Sequence, residues 1–130
     1  MEAMSVESNV PRPEGSVEVD EDQMSAMLCR FQTVVIDCWG PWCGHSRRMN
    51  SVFDEVAKEM RDVAVFGRVN AAENFHVPVK YNIRATPTIL VFREGRVIAR
   101  LEGEMTKADL KARLERFAET PSDELVVRAG

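Results

Sequence analysis

Thr33-Val34-Val35-Ile36-Asp37-Cys38-Trp39-Gly40-Pro41-Trp42-Cys43-Gly44-His45-Ser46 is the stretch on which the reading of this chain turns. Its first four residues are all β-branched, the pattern of a strand buried on both faces, and the strand is expected to run on through Asp37, Cys38 and Trp39. Gly40-Pro41 then forces a turn. From Cys43 to about Met60, the side chains of Met49, Val52, Phe53, Val56 and Met60 recur at three- and four-residue spacing. That spacing predicts an amphipathic helix with Arg47, Arg48, Asp54 and Lys58 on its water side. Strand, turn and helix together place Cys43 at a helix N-terminus.

The first turn of a helix has backbone N–H groups without partners and the positive end of the helix dipole, so a thiol there ionises more readily. The thiolate is the nucleophile, which makes Cys43 the candidate catalytic group. His45 if protonated, together with Arg47 and Arg48, is expected to lower its pKa further, and the Ser46 hydroxyl one turn along is expected to hydrogen-bond the charged sulfur. Cys29 and Cys38 read instead as inert buried hydrophobes, and Trp39 as plain packing. Asp37 lies in a strand that is otherwise buried, where a carboxylate is costly and its pKa should rise. It is either a functional acid or a satisfied structural carboxylate.

Working outward, Ser16 to Val19 suits a short edge strand, and Asp20 suits the cap of a helix over about Glu21 to Cys29. Beyond the central helix, Val63 to Val69 reads as a strand and Glu73 to Tyr81 as a short helix interrupted by Pro78. Thr88 to Phe92 and Val97 to Leu101 are two strands joined by Arg93-Glu94-Gly95-Arg96, a hairpin and therefore antiparallel. Thr106 caps a last helix with Leu110, Leu114 and Phe117 in one stripe. The order implies an α/β domain with a mixed central sheet of about five strands and helices on both faces.

The 130 residues make one domain, and the 29% charged content with a net charge of -4 gives no basic field to attract nucleic acid or anionic membrane. Residues 1–22 hold seven acidic side chains against Arg12 alone, which leaves the remainder at +2. The expected organisation is a disordered acidic tail over 1–15, a domain over 16–120 and a loose tail over 121–130. No early apolar run resembles a signal-peptide core and no apolar run is long enough to span a bilayer, so the expected compartment is the cytoplasm. Three cysteines cannot all pair within one chain, so at least one thiol is free.

The segment Val35 to Ser46 resembles the active-site region of the thioredoxin superfamily, and Tyr81-Asn82-Ile83-Arg84-Ala85-Thr86-Pro87-Thr88 resembles its second signature, in which the residue before a cis-proline faces the reactive cysteine. The resemblance covers about residues 16 to 118, with Gly95 and Gly103 at the family's late glycines. It implies the thioredoxin fold, and a groove in which the backbone at Thr86-Pro87 receives an extended client beside Cys43, with Trp42, Gly44 and His45 around it. It also implies that Asp37 moves protons to and from a second cysteine. Here that cysteine is Ser46. A dithiol site resolves its mixed disulfide with the second sulfur, and a hydroxyl cannot.

The expected activity is therefore protein thiol-disulfide exchange through the single nucleophile Cys43. Clients bearing thiols or disulfides are the expected partners, an external thiol or a reductase is the electron donor, and no cofactor or metal is needed. The chain is expected to be a monomer or a Cys43-linked dimer. Two alternatives stand beside this: a Cys-to-Ser trapping form of a dithiol thioredoxin or disulfide isomerase, and a non-catalytic module that binds clients. A metal site is weaker, because Cys43 and His45 do not supply three or four ligands.

Overall fold

The computed structural model describes residues 13–118. Of the expected tails, 1–12 and the whole of 121–130 lie outside the described residues, as do 119–120 of the expected domain, and 14–15 form a bend. In chain order the elements are β1 (Val17–Glu18), α1 (Glu21–Arg30), β2 (Thr33–Trp39), α2 (Gly44–Glu59), β3 (Val65–Asn70), α3 (His76–Lys80), β4 (Thr88–Arg93), β5 (Arg96–Glu102) and α4 (Lys107–Ala118). This is the predicted succession.

The five strands form one mixed sheet in the order β1-β3-β2-β4-β5. β2 sits in the middle, parallel to β3 with Asp37 opposite Arg68, and antiparallel to β4 with Cys38 opposite Thr88. Side chains alternate across a strand, so β2 feeds two separate cores. Val34, Ile36 and Cys38 pack with Met24 and Met27 of α1 and Val77 of α3. Val35 packs on the other side with Met49, Phe53 and Val56 of α2 and Leu110 and Leu114 of α4. By the same alternation Asp37 shares the α2 face with Val35. Phe53 meets Phe66 edge-on at 5.5 Å and both are fully buried, so truncating Phe53 to Ala would cost about 3–5 kcal/mol.

Local chemistry sets the boundaries. Asp20 accepts from the Gln23 N–H at 2.8 Å while Gln23 returns a bond to the Asp20 N–H at 2.9 Å, a reciprocal cap for α1. β3 starts at Val65 rather than Val63, because the N–H groups of Val63 and Ala64 still bond Met60 O in the last turn after α2. α3 is shorter than the predicted Glu73 to Tyr81, and Pro78 falls in its first turn, where a missing N–H costs nothing. Glu94 and Gly95 have φ of 53° and 82° between the paired Arg93 and Arg96, a two-residue turn with both centres left-handed.

One expectation is overturned. Cys29 is exposed, on the water side of α1, rather than a buried hydrophobe; Cys38 is fully buried as read. Met24 and Met27 are the buried side chains of that helix, and Cys29 falls two residues off their face.

Candidate functional site

The turn after β2 delivers Cys43 to the N-cap of α2, with its N–H on Gly40 O at 3.1 Å and its carbonyl accepting from Arg47 N–H at 3.1 Å. Trp42 folds back over Gly40, where any Cβ would lie 2.6 Å from the indole carbons, so this close approach requires glycine. Trp42 is 65% exposed and forms a flat apolar rim beside the half-buried Cys43.

Across from it, the Thr86-Pro87 peptide bond is cis and the Cys43 thiol donates to Thr86 O at 3.3 Å. Pro87 O in turn accepts from Gly103 N–H at 2.9 Å, and Thr88 Oγ1 donates to Ala85 O at 2.6 Å, so the loop is tied to both its neighbours. Cys43, Trp42, Gly44 and Thr86-Pro87 are thus brought together, 43 residues apart in the chain.

The Cys43 thiol is held below the ordinary cysteine value. The first cause is the backbone N–H of Ser46, opposed by partial burial and aided by hydrogen bonding at Thr86, the His45 N–H and the Ser46 hydroxyl. Helix geometry therefore leads, as expected, while the charges of His45, Arg47 and Arg48, expected to lower it further, are not among the leading causes. The reason is Glu104, which sequence reasoning missed. Its carboxylate grips Arg48 in a two-pronged pair, Nε to Oε2 at 3.0 Å and Nη2 to Oε1 at 3.1 Å, and lies 2.6 Å from His45 Nδ1. The Arg48 hydrogen bond, then His45, pull the Glu104 carboxyl down to about 2. His45 Nδ1 also lies 2.8 Å from Arg48 Nη2, so when protonated it donates to Glu104 and when not it accepts from Arg48. Nothing in the sequence links Glu104 to a site 59 residues away.

Ser46 is fully buried and its hydroxyl oxygen accepts from the Gly40 N–H at 3.2 Å, stapling the turn to the helix. Its proton remains free to point at the Cys43 sulfur. Asp37 is also fully buried, and among the described residues neither carboxylate oxygen has a hydrogen-bond partner. Burial, against the opposing pull of Arg68 and with help from Glu18, raises its pKa to about 7. Burial first, and then the Asp37 charge, pushes the Cys38 thiol up to about 12. Trp39 does more than pack, because its Nε1 donates to Glu18 at 3.2 Å and Glu18 also takes Arg68 at 2.9 Å.

A cleft of about 730 Å³, lined by Leu28, Cys29, Phe31, Lys80 and Tyr81 among others, reaches the β4–β5 turn at the other end of the sheet from Cys43. The candidate site is instead the open surface at Cys43, where the exposed Trp42 and the cis Thr86-Pro87 loop converge. Among the described residues no group of three or more His, Cys, Asp or Glu is placed to hold a metal ion.

The thioredoxin family model matches residues 16–116. The chain is 33% identical over 110 residues to the chloroplastic thioredoxin M-type of Chlamydomonas reinhardtii, spanning 85% of this chain and 79% of that protein. It is 35% identical over 82 residues to the thioredoxin of Pseudomonas aeruginosa, spanning 63% of this chain and 76% of that one. In fold it is similar to a mutant thioredoxin from Halobacterium salinarum, with a TM-score of 0.77 at 20% identity, covering 87% of this chain and 99% of the other. The family model spans most of the described domain and the fold agrees with it: the chain is a thioredoxin-like redox protein and belongs to the thioredoxin family.

Proposed function

We propose that this protein exchanges thiols and disulfides with protein clients through Cys43 alone, in a reducing compartment such as the cytoplasm, with an external thiol completing each cycle. The Cys43 thiolate attacks one sulfur of a client disulfide; a new S–S bond joins client to Cys43 and the other client sulfur leaves as a thiolate. An external thiolate then attacks the client sulfur of the mixed disulfide, joining itself to the client and expelling Cys43 as a thiolate. A second external thiolate attacks the external sulfur of that disulfide, freeing the client thiolate and leaving the external thiol oxidised to its disulfide. Thr86 offers backbone to an extended client, Trp42, Gly44, His45 and Pro87 shape the contact, and Asp37 is the buried base that takes up a proton near neutrality.

The observation that carries this reading is Ser46. It occupies the place one turn from the nucleophile where a resolving sulfur would sit, buried and bonded to Gly40. Cys38 faces the α1 side of the sheet and Cys29 lies on α1 itself, so neither sulfur approaches Cys43.

The test is incubation of the reduced protein with a neutral disulfide peptide, followed by mass. A long-lived adduct on Cys43, cleared by added glutathione and absent from Cys43→Ala, is expected. Release of peptide with an internal disulfide and no added thiol would overturn it. Retention of peptide without any covalent adduct would favour a binding module.

A further inference from the structure

The chain is acidic overall at -4, yet three arginines stand on the two segments that flank the nucleophile. Arg47 and Arg48 project from α2 on one side of Cys43, and Arg84 lies two residues before Thr86 on the other. All three are exposed. Arg48 is held by Glu104. Arg47 donates to Pro41 O at 2.7 Å and Arg84 to Asn82 Oδ1 at 3.5 Å; both partners are neutral, and among the described residues no carboxylate lies within ion-pair distance of either guanidinium. Glu104 pairs with one of the three, so Arg47 and Arg84 are the two without a carboxylate partner among the described residues.

The position of these charges relative to the client path gives them a use. A segment laid beside the Thr86 backbone with its sulfur on Cys43 passes between the loop that carries Arg84 and the first turns of α2 that carry Arg47 and Arg48. Its flanking side chains meet positive charge on both sides. Uncompensated arginines at a contact surface favour carboxylates, speed encounter with acidic partners and disfavour basic ones.

Resting on the exchange activity proposed above, we infer that the arginine rim selects clients whose reactive disulfide cysteine is flanked by Asp or Glu within a few residues on each side. The chemistry at sulfur is unchanged: Cys43 forms the mixed disulfide and the second client sulfur departs as a thiolate. Glu104 limits the selection by neutralising Arg48, so the preference is carried by Arg47 and Arg84.

Three disulfide peptides of equal length, with acidic, uncharged and basic flanks, test it. The rate of adduct formation on Cys43 is followed by mass at pH 7, in about 20 mM and about 500 mM salt. Each rate is divided by that of the same peptide with 2-mercaptoethanol, which removes differences in the disulfide's own reactivity. At low salt the acidic peptide is expected to exceed the basic one by about 10-fold, falling to within about 2-fold at high salt. Arg84→Gln and Arg47→Gln should each lower the acidic-to-basic ratio by about 3-fold. Equal ratios, an inverted order, or a preference indifferent to salt and to both substitutions would overturn the selection while leaving exchange intact. Failure of all three peptides to form an adduct would remove the exchange activity and this inference with it.

Discussion

Three sulfurs in one small domain meet three environments, and the differences follow from where each backbone position falls. Cys43 receives N–H groups from the opening of α2, Cys38 is sealed between β2 and α1 with its pKa near 12, and Cys29 faces water. Alkylation at pH 7 followed by peptide mapping should therefore label Cys43 first and Cys38 last, with Cys38 reacting only on unfolding. Labelling of Cys29 ahead of Cys43 would remove the assignment of the nucleophile. Asp37 carries a different consequence, because its folded pKa of about 7 lies above the 3.8 of an ordinary aspartate. Between those values the native state binds the extra proton, so the contribution of Asp37 to stability is most favourable below about pH 4, falls as pH rises toward 7 and is flat above it. The full penalty at pH 8 is up to about 4 kcal/mol. Asp37→Asn should then stabilise the protein at pH 8, by about 1–3 kcal/mol in urea unfolding, with the gap closing toward pH 4. A gap independent of pH would show that the gain is not a charge effect.

At the scale of elements, turns and helix ends do most of the positioning. The turn at Glu94-Gly95 requires a left-handed backbone at both residues, and a Cβ added to Gly95 would meet no atom within 4 Å. Gly95→Ala therefore carries a conformational cost alone, expected at about 1 kcal/mol by thermal unfolding, with Cys43 reactivity unchanged. A much larger loss would mean that the hairpin does more than close the β4–β5 edge. α2 and α4 are further joined on the water side, where Glu59 accepts from Lys111 at 2.9 Å and also pairs with Lys107. Those hydrogen bonds, led by Lys107, hold Glu59 down at about 2 although it is exposed. The pairs join α4 to the helix that begins at Cys43.

Over the whole molecule, what the sequence disclosed follows a physical division. β2 and α2 were legible because an unbroken β-branched run and a 3.6-residue period are each written in consecutive residues, and Cys43 at their junction was legible with them. Glu104 was not, because it reaches His45 and Arg48 only after β5 closes the sheet and Gly103, at φ 92°, turns the chain back. Cys29 was misread because α1 shows buried faces only at Met24 and Met27, too few to fix which side a cysteine takes. Ser46 was legible as a departure in type, but its bond to Gly40 was not, and that bond decides what reversal would do. In Ser46→Cys the sulfur is a poor acceptor for the Gly40 N–H, so the reduced variant should lose about 1 kcal/mol of stability. The same sulfur lies one helical turn from Cys43 and supplies the missing in-line thiolate. Release of a bound disulfide peptide should then accelerate by at least about 100-fold without external thiol, since an intramolecular thiol acts at millimolar or higher effective concentration. Mass analysis should find an internal disulfide in the released protein. If the adduct persists in the variant, position 46 lacks the geometry of a resolving sulfur, and the long life of the natural adduct has another cause than the serine.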